Sequence, residues 1–193
     1  MPPNKQFDVD ETLAKAMRTF WERGYEATSV QDLIDSTGIN RGSLYGTYGD
    51  KRALFLAALG KYDKDIRRKI LSELEAEHSP RHAIRELLVC FSTGLLEKGD
   101  TAGCLMTNTA LELAAHDPEI RSIVAHAQEQ IEDFFHRMIL RGQELGEMSP
   151  ALNPPRIAKG LLASLSGLLV LIRSRPDEAL LASIIDDAMA KLG

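Results

Sequence analysis

The sequence has little of what indicates a disulfide-rich or catalytic protein. Its 193 residues include two cysteines, Cys90 and Cys104, and one tryptophan, and 6% of the residues are aromatic. Two cysteines on different predicted helices do not indicate a disulfide, so we expect buried thiols, with redox sensing as the alternative. The sequence contains no nucleophile elbow, phosphate loop or Cys-x-x-Cys motif. We therefore expect no enzyme activity and no cofactor.

A long apolar run is also missing. The longest nearly apolar stretch, residues 160–172, has 13 residues and contains two serines, whereas a membrane span needs about 20 apolar residues. The first residues, Met-Pro-Pro-Asn-Lys-Gln, contain no signal-peptide core. We therefore expect a cytoplasmic protein with no membrane partner.

The sequence lacks the alternation of apolar and polar residues that predicts half-buried strands. Hydrophobic residues recur instead at helical spacing, most clearly after Asp117-Pro118, a pair typical of a helix cap and first turn. The sequence therefore predicts an all-α fold of about nine helices. The core stripe of the long helix after Pro118 consists of Ile120, Val124, Ala127, Ile131, Phe134 and Met138.

What the sequence does contain is a helix-turn-helix pattern in residues 28–51. Thr28 and Gln31 have the spacing of a capping box, and Gly38 is placed to end the first helix in a left-handed turn. Residues 40–43 then form the outward-facing first turn of a second helix, the part that reaches base edges in a major groove. An amphipathic helix at residues 11–23 completes a three-helix domain.

This placement predicts a set of DNA-contacting residues. Arg41 is expected to bind a guanine, and Ser43 a base or a phosphate. Tyrosine hydroxyls can bind phosphates, and Asp50 is expected to cap the helix that begins at Lys51. The alternative is an ordinary helical bundle in which Tyr45 and Tyr48 are core residues. The predicted DNA contacts are Thr28, Ser29, Asn40, Arg41, Gly42, Ser43, Tyr45, Tyr48 and Lys51.

In these residues the chain resembles the N-terminal domain of TetR-type transcriptional regulators. The shared pattern is FWERGY at residues 20–25, TSV at 28–30 and LYGTYGDK at 44–51. The chain departs from it at Tyr48, where Phe is usual, and at Gly46, where a larger polar or basic residue is common. The resemblance implies a homodimer on a palindromic double-stranded DNA operator, an unidentified small-molecule effector, and a coupling role for the helix after Asp50.

The charge of the chain does not provide a broadly basic DNA-binding surface. The net charge is −5, and residues 1–53 contain seven Lys and Arg against eight Asp and Glu. Arg41, Lys51 and Arg52 nevertheless lie close together in the predicted contact region. We therefore predict a local positive patch with modest affinity for non-specific DNA.

We predict two domains: a helix-turn-helix DNA-binding domain at residues 1–53, and a helical effector-binding and dimerisation domain at residues 54–193. No linker separates them, because the helix that starts at Asp50 is expected to run to about Glu77. This helix is a candidate for the element that transmits an effector-induced shift of the second domain to the recognition helix.

The effector pocket is predicted around residues 103–112. Asn108 and Glu112 lie four residues apart, one turn after Cys104, and form a polar line on an otherwise apolar helix. The alternative is that the two polar residues bridge neighbouring helices and the others form core. The predicted pocket residues are Tyr62, Phe91, Cys104, Asn108, Glu112, Phe134 and Met138.

Small residues on one side of the helix after Pro154-Pro155 predict a close helix contact, either with a second copy of the chain or with the long helix. The resemblance implies that this helix and the last one form a four-helix interface with a second copy. The predicted interface residues are Gly160, Ala163, Ser164, Gly167, Leu181, Ile184, Ile185 and Ala188.

Histidines and acids recur along the long helix at residues 126, 129, 133 and 136. Such a face can hold a metal ion, but these positions lie off the core stripe, so we expect a solvated face and no metal site. The features together predict a ligand-responsive DNA-binding transcriptional regulator, specifically a homodimeric repressor. The alternative is a helical ligand-binding or adaptor protein without sequence-specific DNA binding.

Overall fold

The computed structural model describes residues 7–97 and 99–193, and in these residues the chain is all-α, as predicted. The described residues form eleven α-helical segments and one π-helical turn, without strands. They are α1 (Val9–Arg23), α2 (Val30–Thr37), α3 (Arg41–Tyr48), α4 (Lys51–Tyr62), the π turn (Asp63–Arg68), α5 (Lys69–Glu77), α6 (Pro80–Cys90), α7 (Thr93–Leu96), α8 (Leu105–Glu112), α9 (Pro118–Glu144), α10 (Pro154–Ser174) and α11 (Glu178–Ala190).

The chain divides into two compact units, Met1–Arg67 and Arg68–Gly193. The boundary falls in the π turn, and α4, this turn and α5 follow one another without a gap from Lys51 to Glu77. The continuous helix predicted after Asp50 is therefore confirmed. The functional division at residues 53 and 54 stays a prediction.

The helix that begins at Pro80 is interrupted, so the described residues contain more helical segments than the nine predicted. It ends at Cys90, and Ser92 adopts a non-helical backbone conformation (φ −137°, ψ −96°) before the short α7 begins. The Ser92 hydroxyl donates to the Leu88 carbonyl. A Cβ at Gly94 would lie 3.1 Å from the Val89 carbonyl oxygen, so the tight turn depends on glycine there.

The core of the first unit is a cluster of aromatic rings between α1 and α4. The ring centroids of Phe20 and Phe55 are 5.1 Å apart in an edge-to-face arrangement, and Tyr25 lies 4.9 Å from Phe55. Phe20 and Phe55 are buried. Trp21 and Tyr62 form a second edge-to-face pair at 4.8 Å. Aromatic contacts of this geometry add to the stability that apolar burial provides.

The second unit is built around α9, which begins at Pro118 under an Asp117 cap, as predicted. It packs against α5, α6, α8 and α10, and α11 packs against α10. The predicted core stripe is buried except for Ile131, which is half-buried. α8 is shorter than the helix predicted to start at Gly103, since it begins at Leu105 and ends at Glu112.

One face of α10 belongs to the core and the other is largely uncovered in the single chain. Leu161, Leu165, Leu168 and Ile172 are buried, whereas Val170 is 38% exposed. Helix α10 is long and apolar enough to cross a membrane. Of its most apolar 18-residue stretch, 33% is buried inside the fold. A helix in the core of a folded protein can have the same length and hydropathy, so α10 is weak evidence for a membrane span.

A salt bridge joins α5 to α9 in the second unit. Arg137 donates from Nε to Glu75 Oε1 at 3.0 Å and from Nη2 to Glu75 Oε2 at 2.7 Å, while Arg141 donates to the Glu75 carbonyl oxygen at 3.1 Å. These paired hydrogen bonds, together with the positive charge of Arg137, hold the pKa of Glu75 below its ordinary value of 4.5. The pair lines an open groove of about 270 Å³.

Replacing Glu75 with glutamine should destabilise the second unit in a pH-dependent way. A carboxylate with a lowered folded-state pKa stabilises the fold above its unfolded pKa, and this contribution is lost as pH falls through the folded pKa. The loss should be about 1 kcal/mol or less at neutral pH, because the pair is partly exposed, and it should shrink below pH 4.5. Urea unfolding from pH 7 to pH 3 measures this, with the exposed Glu73→Gln as control. An equal loss at every pH would contradict it.

Candidate nucleic-acid interface

The first helix of the helix-turn-helix begins one residue later than predicted. Ser29, not Thr28, is the N-cap of α2, and its capping-box partner is Asp32 rather than Gln31. The Ser29 hydroxyl accepts from the Asp32 amide at 3.1 Å and donates to Asp32 Oδ2 at 2.6 Å. Thr28 is buried, and its hydroxyl donates to the Gly24 carbonyl at 2.5 Å. Both hydroxyls are therefore engaged within the protein, although Ser29 itself is exposed. The DNA contacts predicted for these two residues stay predictions.

The turn between α2 and α3 has the predicted form. Gly38 takes the left-handed conformation, with φ 74° and ψ 12°, and ends α2. Asn40 caps α3, because its side-chain oxygen accepts from the Ser43 amide at 2.9 Å. This oxygen stabilises the start of the recognition helix. The two hydrogens of the Asn40 side-chain amide are not used in this cap, and the predicted base contact by Asn40 stays a prediction.

The first turn of α3 presents a cation and a glycine to solvent. Arg41 and Gly42 are exposed, Ser43 is half-buried, and Leu44 on the opposite side is fully buried in the core. The Arg41 guanidinium lies 5.6 Å from the centroid of the Tyr45 ring, within the range of a cation–π contact. Arg41 is therefore held at the outer surface of the helix.

Tyr48 at the end of α3 has a structural role. Its hydroxyl donates to the Val9 carbonyl at 2.9 Å and so ties α3 to the start of α1. Burial, followed by the nearby charge of Asp10, raises the pKa of Tyr48. A phosphate contact by Tyr48 would require this hydrogen bond to break, because the hydroxyl has only one proton to donate. The predicted phosphate contact stays a prediction.

The start of α4 places a lysine beside this surface. Asp50 caps the helix as predicted, with its carboxylate accepting from the Ala53 amide at 2.7 Å. Lys51 is the first helical residue, and its Nζ atom lies 4.4 Å from the centroid of the Tyr25 ring. Sequence reasoning missed Tyr25, although a tyrosine directly after the glycine that ends α1 was a usable signal.

Several acids of the first unit are paired with cations. Lys61 contacts Asp10 at 2.8 Å and Asp65 at 2.7 Å, and Arg23 forms a short ion pair with Asp32. Hydrogen bonds from Ser29, followed by the charge of Arg23, lower the pKa of Asp32. These pairs leave the net charge of the unit unchanged, but they engage two of its cations with acids, whereas Arg41 is exposed on α3.

Exchanging two glycines for alanine should have opposite effects on stability. A Cβ at Gly46 or at Gly38 would meet nothing within 4 Å. Gly46 lies inside α3, so Gly46→Ala should stabilise the protein by about 0.5–1 kcal/mol. Gly38 has φ 74°, so Gly38→Ala should destabilise it by about 1 kcal/mol. Urea unfolding of the two variants measures this, and shifts of the same sign would contradict it.

One of the predicted effector residues lines a cavity in the second unit. Cys104 lines a small cavity of about 20 Å³ among α8, α9 and α10, together with residues such as Gln128 and Ser166. This volume suits a single water molecule. The other six predicted residues do not line it: Tyr62, Phe91, Asn108, Glu112, Phe134 and Met138.

The effector pocket stays a prediction, and the structure shows where its other residues lie. Tyr62 lies in the core of the first unit, and Phe91, Phe134 and Met138 are buried in the second. Asn108 donates from its side-chain amide to the Ala102 carbonyl at 2.9 Å, and this contact ties α8 to the segment that precedes it. Cys104 is buried and Cys90 is half-buried, and no disulfide joins them. Among the residues that the structure describes, no cluster of metal-ligating side chains occurs.

The predicted dimer face divides between core and surface. Ala163 and Gly167 are exposed, and Gly160, Ser164 and Ile184 are half-buried. The remaining three are buried in the chain's own core, and their place in a dimer interface stays a prediction: Leu181, Ile185 and Ala188. On α11 the half-buried Leu180 and Ile184 are next to the buried Leu181 and Ile185, so helical spacing alone did not distinguish core positions from interface positions.

A glycine turn followed by a capped helix with an exposed arginine defines the first unit as a helix-turn-helix DNA-binding domain. Residues 13–58 match the family model described as bacterial regulatory proteins, tetR family. Residues 80–187 match the tetracyclin repressor-like C-terminal domain. The chain belongs to the TetR family of bacterial regulatory proteins, and it is a DNA-binding transcriptional regulator.

Relatives of known sequence extend over most of the chain. It is 38% identical over 149 residues to the uncharacterized HTH-type transcriptional regulator YezE of Bacillus subtilis (strain 168), covering 77% of both chains. It is 29% identical over 170 residues to the HTH-type transcriptional repressor ComR of Escherichia coli (strain K12), covering 88% of this chain and 81% of ComR.

A solved structure of a cysteine-substituted form of the TetR family regulator CifR, complexed with a 26 bp double-stranded operator DNA, has the same fold. Its TM-score is 0.82, with 25% identity and full coverage of both chains. A TetR family regulator from Cytophaga hutchinsonii gives a TM-score of 0.85 at 18% identity, covering 95% of this chain and 92% of the other, which supports the fold alone.

Proposed function

We propose that this regulator is a cytoplasmic repressor that binds a palindromic operator as a homodimer and leaves it when a small molecule binds the second unit. The observation that carries the proposal is the exposed first turn of α3, with Arg41 at its surface and a fixed Asn40 cap beneath it. The similar protein ComR is described as a transcriptional repressor, which supports repression over activation.

We propose a smaller set of DNA contacts than the sequence predicted. Arg41 reads a base, Gly42 permits close approach of the backbone, and Ser43 binds a base or a phosphate. The Tyr45 ring holds the Arg41 guanidinium through a cation–π contact, and Lys51 binds a phosphate at the start of α4. The functional division at residues 53 and 54 is retained in this proposal.

The proposed dimer face is the uncovered side of α10 with the outer side of α11. A Cβ at Gly160 or Gly167 would meet nothing within 4 Å, so neither position is filled by the chain's own atoms. Together with Ala163, Ser164 and Ile184, these glycines allow two helix backbones to approach closely. A four-helix contact with a second copy would cover this apolar face.

The proposed effector site lies among α8, α9 and α10, around Cys104. A cavity of about 20 Å³ is too small for a metabolite, so binding would require these helices to separate. Such a site couples ligand binding to the conformation of the second unit, because the ligand binds the opened state better than the closed one.

The experiment that tests this function is selection of bound fragments from sheared genomic DNA by the purified protein, followed by sequencing. We expect an inverted repeat shared by the enriched fragments. Metabolites made by the products of neighbouring genes are then tested for release of the protein from that repeat. If no sequence is enriched, the helical ligand-binding or adaptor alternative is favoured instead.

A further inference from the structure

The Tyr25 ring forms a fixed aromatic surface beneath Lys51 at the edge of the DNA-binding face. The Lys51 Nζ atom is 4.4 Å from the ring centroid, well inside the distance of about 6 Å at which a cation–π contact forms. Tyr25 belongs to the loop after α1, and Lys51 is the first residue of α4. The contact therefore joins two elements that are distant in sequence.

The Tyr25 ring is held in place by the core. It lies 4.9 Å from the centroid of Phe55 and is stacked at 6.2 Å on Phe20, with an interplanar angle of 24°. Phe55 is 1% exposed and Phe20 is fully buried. One face of the Tyr25 ring is thus supported by immobile side chains, and the position of the ring is determined by the fold.

A free lysine side chain has four rotatable bonds and loses conformational freedom when it binds a phosphate. A contact that restricts this side chain before DNA arrives lowers the cost of binding. An ammonium group has three hydrogens, so Lys51 can keep its contact with the ring and still donate to a phosphate oxygen.

We propose that Tyr25 is a positioning residue for operator binding: its ring holds the Lys51 ammonium group where a phosphate of the DNA backbone will lie. This inference rests on the proposed phosphate contact of Lys51. It assigns Tyr25 a function in addition to its place in the aromatic core.

A double-mutant cycle on the full chain tests the proposal. Operator affinity is measured by fluorescence anisotropy for the wild type, Tyr25→Leu, Lys51→Ala and the double variant, at a temperature below the lowest unfolding midpoint. We expect Tyr25→Leu to weaken binding by about two- to fivefold when Lys51 is present, the size expected of an exposed cation–π contact. In the Lys51→Ala background the same change should have no further effect. Tyr25→Phe, which keeps the ring, should bind the operator as the wild type does.

A measurement without DNA separates positioning from folding. Ring currents should shift the NMR signals of the Lys51 side-chain methylenes in the wild type and in Tyr25→Phe, and the shift should vanish in Tyr25→Leu. An equal decrease of affinity from Tyr25→Leu in both Lys51 backgrounds would overturn the proposal while leaving the phosphate contact intact. If Lys51→Ala does not weaken binding at all, both the phosphate contact and the positioning role are wrong.

Discussion

Replacing Arg41 with alanine should weaken operator binding by about 1–3 kcal/mol and relax the base preference at one position of each half-site. Arg41 is exposed in the first turn of α3, the part of a recognition helix that reaches base edges. Its guanidinium lies over the Tyr45 ring, so it enters the groove from a restricted position. Anisotropy measurements on the operator and on single-base variants of each half-site provide the test.

Lys51→Ala is the matched control, because a phosphate contact carries no sequence information. It should weaken binding to all operator variants alike and reduce the slope of log affinity against log salt by about 0.9 for each phosphate that is no longer neutralised. If Arg41→Ala instead weakens all base variants equally, Arg41 binds phosphate and not a base.

Replacing Gly167 with arginine should convert the dimer to a monomer and thereby abolish high-affinity operator binding. The glycine lies in the middle of α10 on the uncovered face, where an added side chain meets nothing in its own chain. Arginine also has a higher helix propensity than glycine, so the protomer itself should not lose stability. Between two closely packed helices, however, the charged side chain would be buried without a partner. Sedimentation equilibrium at micromolar concentration measures the mass.

Gly60→Arg is the control for this substitution, since Gly60 also lies in a helix and has nothing within 4 Å of an added Cβ. This variant should keep the mass of the wild type. A dimeric Gly167→Arg variant would show that α10 does not form the interface. A monomeric wild type would exclude the proposed dimer altogether.

Local signals in the sequence predicted most of the helices because each was marked by residues with a specific backbone role. Asp117 and Pro118 determine the start of α9, and Gly38 determines the end of α2. The capping box was placed one residue early because Thr28 and Ser29 both carry hydroxyls, and each has a polar partner three residues later. Burial decides between them, since Thr28 is inside the fold.

Sequence reasoning was less successful where function depends on which apolar residues of a helix face outward from the fold. Ile184 and Ile185 are neighbours with the same chemistry, yet Ile185 is buried and Ile184 is half-buried. The effector pocket has the same difficulty, because helical spacing does not distinguish buried residues that fill the core, such as Phe134 and Met138, from residues that line a cavity. Such outcomes depend on how side chains pack in three dimensions, which helical spacing does not contain.

The ion pairs within the first unit affect how many copies of the regulator a cell needs, because they limit binding to non-specific DNA. Lys61 and Arg23 are engaged by Asp10 and Asp32, so these cations are not available to attract DNA of arbitrary sequence. A genome offers about a million or more competing sites, and a protein with weak affinity for them loses less of its population to the chromosome. A small number of molecules per cell should then suffice to keep an operator occupied.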